Sequence, residues 1–371
     1  MFRKILKYAA LTVVCLVVLI PTVALLSRAW LKHEVAQRRA IHAPHGIQTL
    51  DAVRIGGIDQ WIEVRGQNVD NPILLFIHGG PGTAFIPLSG SFQDPWEQHF
   101  TVVQWDQRGA GKTYARNDKD LQRRTMNVAQ MESDTLEVVD YLRARFRRDK
   151  IFVVGHSWGS VLGLWLAHEH PDRIYAFVGV GQVINTRQND QLAYQDALAA
   201  ARQRNNLQAL HDLESIAPYP PQQFDLNKQQ TASQWEAELL GPPLGRNSFT
   251  NVRRLLTDLI ATPEYSLGDD LGFLQGQAAS TEAFVPQEYR IDLMRLGPTF
   301  SAPIFFFEGR RDPYCRPALI EQYADAISAP RKQMVWFENS GHFPFYEEKQ
   351  GFTRELVEYL IPLAANPATA P

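Results

Sequence analysis

The sequence predicts an α/β fold with a mostly parallel central sheet flanked by helices, and three observations carry that expectation. Short apolar runs alternate with helical stretches from Ile73 to about Val180. The alternation resumes between Pro303 and Leu360. Between Asn185 and about Thr299 the strand signal stops, and Gln/Ala/Leu-rich helical sequence broken at Pro218, Pro220, Pro221, Pro242, Pro243 and Pro263 replaces it. A helical insertion over the carboxyl edge of an alternating core is the arrangement these three features imply.

The elements follow in order. Thr49 to Ile55 and Ile58 to Val64 alternate in polarity around Gly56-Gly57, which reads as an opening hairpin. Apolar runs at Ile73 to Ile77, Val102 to Trp105, Ile151 to Val154, Ala176 to Val180, Pro303 to Phe307 and Gln333 to Phe337 read as strands. Helices are expected over Val128 to Phe146, Ser160 to His168 and Phe352 to Leu360. The resulting division is an N-terminal segment at 1–27, a polar stalk at 28–46, a core at 47–186 and 300–362, a helical cap at 187–299 and a disordered tail at 363–371.

Composition narrows the function. Of 371 residues, 45% are hydrophobic and 21% charged, which supports a large folded core. The net charge of -3 supplies no basic field, so nucleic acid is not an expected partner. Cys15 and Cys315 form neither a disulfide framework nor a CxxC-type metal site. No histidine spacing of the HExxH kind and no phosphate-binding glycine loop is present, so neither metal nor cofactor is expected.

Tyr8 to Leu26 carries no charge over 19 residues, a helix of about 28 Å that matches the hydrocarbon core of a bilayer. Its length and its poor cleavage site favour a single-pass transmembrane anchor over the alternative, a cleaved secretory signal. Basic residues flank both ends, Arg3, Lys4 and Lys7 against Arg28, Lys32, Arg38 and Arg39, so charge does not orient it. The short leading tail favours a folded body on the extracytoplasmic, periplasmic side.

Gly155-His156-Ser157-Trp158-Gly159 joins the strand ending at Val154 to a helix, which is the setting of a nucleophile elbow and of the α/β-hydrolase fold. A serine hydroxyl is a weak nucleophile and needs a base; the tight turn presents it to one. His156 neighbours the nucleophile too closely to serve and is read as structural. His78-Gly79-Gly80-Pro81-Gly82 follows a strand where backbone N–H groups would meet an oxyanion, so the expected donors are Gly80 and Trp158. The order nucleophile, acid, base points to Asp312, just past a late strand, and to His342, just past the last one; Glu308 is the alternative acid. Asp106 and Arg108 are read as loop braces.

His78-Gly79-Gly80-Pro81-Gly82, Trp105-Asp106-Gln107-Arg108-Gly109-Ala110-Gly111 and Ser157-Trp158-Gly159-Ser160, in that order, resemble the motifs of the proline iminopeptidase (prolyl aminopeptidase) branch of the α/β-hydrolases. The resemblance runs from about residue 47 to the last helix and is weakest in the cap. It departs at Thr83-Ala84 and at His156, where that branch usually has glycine. It implies an aminopeptidase acting on a short peptide or small molecule through an acyl-enzyme. It further implies that Trp235-Glu236 corresponds to a cap pair whose glutamate binds the substrate amine, with Glu264 and Asp269 as alternatives. The competing expectation is a membrane-associated carboxylesterase or amidase on small or lipid-derived acyl substrates. A catalytically inert binding module is disfavoured by the complete Ser-His-Asp set.

Overall fold

The structure is a computed structural model that describes the backbone of residues 2–240 and 252–365, and the side chains of those residues apart from 2–16 and 252. Helix α1 (Phe2–Arg38) precedes a hairpin of β1 (Ile47–Ile55) and β2 (Ile58–Gly66), then β3 (Ile73–Ile77) and β4 (Thr101–Asp106). Helices α2 (Gly111–Arg116), α3 (Lys119–Thr125) and α4 (Val128–Phe146) lead to β5 (Ile151–His156), α5 (Trp158–Glu169) and β6 (Ile174–Val180). The insertion holds α6 (Thr186–Gln203), α7 (Leu207–Ser215), α8 (Leu226–Leu240), α9 (Val252–Ala261) and α10 (Leu267–Glu288). The chain then returns through β7 (Ile304–Gly309), α11 (Pro317–Ala326), β8 (Lys332–Phe337), α12 (Pro344–Glu347) and α13 (Lys349–Ala365). The expected breaks at 242 and 243 lie outside the described residues.

One sheet runs in the order β1-β2-β4-β3-β5-β6-β7-β8. The β1–β2 and β2–β4 pairs are antiparallel, and every later pair is parallel. Parallel strands are covered on both faces, which is why β3 is apolar at every position and buried throughout. Period two then sorts its residues: Leu75 and Ile77 join one core, Leu74 and Phe76 the other. Helix α4 starts where the Asn127 side chain accepts the Gln130 N–H and ends at Arg147 in the left-handed region. It buries Met131, Thr135, Val138 and Leu142, the stripe expected of helical spacing. The cap has a separate core around Tyr194, Leu213, Trp235 and Leu239.

Two expectations at the chain ends change. The 28–46 segment is not a free stalk: α1 extends through Arg38 and lies on the body. Arg28 pairs with Asp270 at 2.6 Å, Lys32 donates to the Tyr265 carbonyl, and Arg39 meets Asp94 at 3.1 Å. These basic side chains have acidic and carbonyl partners that are distant in sequence. Helix α13 reaches Ala365, so the tail expected from 363 starts inside a helix; 366–371 lie outside the described residues. No helix among the described residues is long and apolar enough to cross a membrane. The transmembrane anchor expected over Tyr8 to Leu26 is therefore not shown, and its side chains from 8 to 16 lie outside those described.

Candidate active site

Ser157 sits between β5 and α5 with φ 52° and ψ −121°, a conformation a non-glycine residue adopts only where its surroundings enforce it. The Ser157 N–H donates to Val180 O at 2.9 Å, while its carbonyl accepts from the Ser160 N–H at 2.8 Å and the Ser160 hydroxyl at 2.6 Å. The flanking glycines are sterically required: a Cβ on Gly155 would lie 2.5 Å from Gly159 O, and one on Gly159 2.1 Å from Ile77 O. The turn thus brings the hydroxyl to a cavity of about 420 Å³ that Gly80 and His342 also line. The serine stands at the N-terminus of the twelve-residue α5, where free N–H groups and the helix dipole favour negative charge.

His342 is anchored from behind. Its Nδ1 lies 2.7 Å from Asp312 Oδ2, and because a carboxylate only accepts, Nδ1 carries the proton and Nε2 is the basic nitrogen. The other Asp312 oxygen accepts the N–H groups of Tyr314 at 2.7 Å and Cys315 at 2.9 Å. His156 Nε2 lies 2.9 Å from the His342 carbonyl and so donates to it. Burial holds the His156 ring neutral, with its pKa well below the ordinary value. Asp312, Cys315 and His342 are also the one trio of metal-capable donors that converges among the described residues. Two of the three already satisfy each other, and burial pushes the Cys315 thiol well up into its protonated form.

The loop after β3 is braced from the side. Gln107 donates to His78 O at 2.9 Å and accepts from the Trp158 indole at 3.3 Å, tying the glycine-rich loop to the start of α5. The indole is thereby turned into the core, where it packs against Phe284, and Trp158 is not among the cavity-lining residues. Asp106 accepts the Lys112 N–H at 2.8 Å and the Tyr265 hydroxyl, and Arg108 pairs with Asp134 at 2.9 Å; both residues brace loops.

The acids of the cap separate clearly. Asp269 pairs with Arg116 at 2.6 Å and Lys112 at 3.1 Å, and caps its own helix; Glu264 accepts from the Thr262 hydroxyl. Neither lines the cavity. Glu236 does not line it either, although its Oε1 is buried without a hydrogen-bond partner. Burial, Asp190 and an opposing Arg316 leave the Glu236 carboxyl up at about 7. Asp190 itself is pushed up to about 7 by burial, and one of its oxygens is likewise unpartnered. Glu288, the last residue of α10, does line the cavity, and burial reinforced by Asp190 pushes its carboxyl up to about 8.

The sequence model described as "alpha/beta hydrolase fold" matches residues 72–349, spanning the elbow, Asp312 and His342. The chain belongs to the α/β-hydrolase family. This hydrolase is 32% identical to "Probable aminopeptidase YbaC" of Bacillus subtilis over 84% of its own length and 95% of that protein. Its fold matches a proline iminopeptidase-related protein of Thermus thermophilus with TM-score 0.59 at 22% identity, covering 85% of this chain and 99% of that one. A membrane phospholipase A structure matches with TM-score 0.55 at 18% identity over 98% of this chain and 99% of that one.

Three residues escaped sequence reasoning. Glu288 carries no motif and is one of several acids in the second half of the cap. Asp190 is one polar residue among many on α6. Gln107 lies inside a quoted motif, yet its two-sided bond depends on a loop and a helix that meet only in the fold.

Proposed function

We propose that this hydrolase cleaves amide bonds as an aminopeptidase of the proline iminopeptidase kind, through an acyl-enzyme on Ser157. His342 Nε2 takes the serine proton as the hydroxyl attacks the carbonyl, and Asp312 holds the imidazole in the required tautomer. The Gly80 and Trp158 N–H groups receive the oxyanion, each worth about 3–4 kcal/mol of barrier in such sites. Water then releases the acyl group with His342 again as base. The observation that carries this reading is the arrangement of Ser157 and His342 on one cavity with Asp312 2.7 Å from the imidazole. A protonated substrate amine needs an acidic partner in such a cavity. Glu288, which lines the cavity, supplies it by ionising as the ammonium binds, whereas Glu236 lies outside the cavity lining.

A hydrolysis panel tests this. Proline-arylamide, other aminoacyl-arylamides and p-nitrophenyl esters are compared on the parent and on Ser157→Ala, with fluorophosphonate labelling of Ser157. Arylamide turnover that vanishes with the serine supports the reading; retained turnover and labelling of another serine overturn it.

One observation favours a second reading, an esterase or amidase on acyl substrates near a membrane. Val17, Leu19, Ile20, Val23 and Leu26 of α1 are more than half exposed, and they belong to the uncharged run expected as a membrane anchor for an extracytoplasmic body. Ester turnover without arylamide turnover, in protein that resists carbonate extraction from membranes, selects it.

A further inference from the structure

Glu308 is the penultimate residue of β7, four residues before Asp312, and is fully buried. Its Oε1 accepts the Gln182 N–H at 3.1 Å, and the neighbouring Gly181 N–H also interacts with the carboxyl, these being the first two backbone groups after β6; its Oε2 is buried without a partner. Gly181 has φ +54°, in the left-handed region, and packs directly on the base: a Cβ there would lie 2.6 Å from His342 Cε1, 2.7 Å from its Nδ1 and 3.3 Å from Asp312 Oδ2. On the other side of the same turn the Val183 N–H donates to Ser160 Oγ at 3.0 Å, and that hydroxyl donates to the Ser157 carbonyl. The turn at 181–183 is therefore a wall shared by nucleophile, base and acid, and Glu308 is the side chain that holds its first two N–H groups.

We propose that Glu308 is a positioning residue that, through the Gly181–Gln182 turn, seats the His342 imidazole against Asp312. The proposal rests on the reading of His342 as base. The titratable groups facing Glu308 are Asp312 and the Cys315 thiol from the segment after β7, while His342 packs on the Gly181 turn. Burial and the nearby Asp312 charge keep the Glu308 carboxyl protonated, well above its ordinary value. A neutral carboxyl presents one accepting oxygen to the two N–H groups and adds no second negative charge beside the acid. Glutamine has the same shape and the same accepting oxygen, so it reproduces the function, whereas alanine leaves both N–H groups unanswered and lets the turn relax.

The test uses the full chain, with kcat, KM and the pH profile of kcat/KM on the best substrate of the panel. Glu308→Ala is expected to lower kcat about 10- to 100-fold with KM changed less than about twofold, the signature of a base displaced by a fraction of an ångström. Glu308→Gln is expected to restore kcat to within about fivefold of the parent, with the acid limb of the profile unmoved. Gly181→Ala, which crowds the imidazole directly, should reproduce the kcat loss. An unchanged kcat in Glu308→Ala overturns the proposal. So does a Glu308→Gln enzyme as slow as Glu308→Ala with its acid limb displaced by about one pH unit, because the carboxyl would then act through charge. Should Glu308→Ala fail to fold, the Glu308→Gln profile and the Gly181→Ala kcat decide on the same criteria. His342→Ala separates the two readings: retained turnover removes the base assignment itself, whereas lost turnover beside an indifferent Glu308→Ala removes only the positioning role.

Discussion

Both oxygens of Asp312 are engaged, one by the imidazole and one by two backbone N–H groups. Asp312→Asn keeps the shape but offers an N–H where the imidazole needs an acceptor, forcing the wrong tautomer. The expected loss in kcat is on the order of 10⁴-fold with KM little changed, measured by steady-state kinetics on folded protein. The acids of the cap make a second prediction at this scale. If Glu288 holds a substrate ammonium and Glu236 acts on it only through Asp190, Glu288→Gln raises KM for aminoacyl-arylamides at least about tenfold, near 1.4 kcal/mol, Glu236→Gln raises it less, and both spare neutral esters. Equal losses on both substrate types would assign these residues to packing of the cap.

At the scale of elements, α1 is part of the body from Arg28 onward. The Arg28–Asp270 pair joins it to α10, and Arg39 reaches Asp94 and Glu97. A chain beginning at residue 40 leaves Asp270 without Arg28, and Glu97 without one of its two arginines. Breaking partly buried pairs costs more than losing exposed ones, because the remaining charge stays in a poorly solvated place. Such a chain is expected to melt at least about 3 °C below one beginning at Ser27, read by calorimetry. Equal melting temperatures would mean that the docked half of α1 contributes nothing to stability.

For the whole molecule the buried titratable groups set a pH window. Burial pushes Glu63 and Glu288 up to about 8, and Asp106, Asp190 and Glu236 up to about 7. An acid whose folded pKa is raised binds its proton more tightly in the native state, so the stability it contributes is present at low pH and lost as pH rises through the folded value. His78 is lowered to about 4 and His156 well below 6.5 by burial; their contribution is present above the ordinary histidine value and lost as pH falls. The two sets oppose each other between about 4.5 and 6.5, and above 6.5 only the carboxyls act. The melting temperature is therefore expected to fall by at least about 3 °C between pH 6.5 and 8.5. A flat or rising curve over that interval would show that these carboxyls are ionised in the folded protein.

By itself the sequence determined whatever depends on neighbours along the chain. The strand at Ile73–Ile77 and the helix at Val128–Phe146 were legible to the residue, because burial on both faces and helical spacing leave local signatures. The elbow at Ser157 was legible because glycines are obligatory where a Cβ would stand 2.5 Å or less from a backbone oxygen. Asp312 and His342 followed from their order after late strands, and their 2.7 Å bond is a consequence of the adjacent β7 and β8. Only the tertiary structure decided what depends on groups far apart in the chain. Arg28 counted only as a basic flank of the N-terminal segment, whereas the fold sets it beside Asp270; Glu288 rather than Glu236 is the cap glutamate that lines the cavity. Glu308, the alternative acid by sequence order, has its carboxyl on the turn that packs against the His342 imidazole. The physical reason is common to all three: the role of a charged side chain is set by which partner can compensate it once water is removed, and that partner is chosen by the fold.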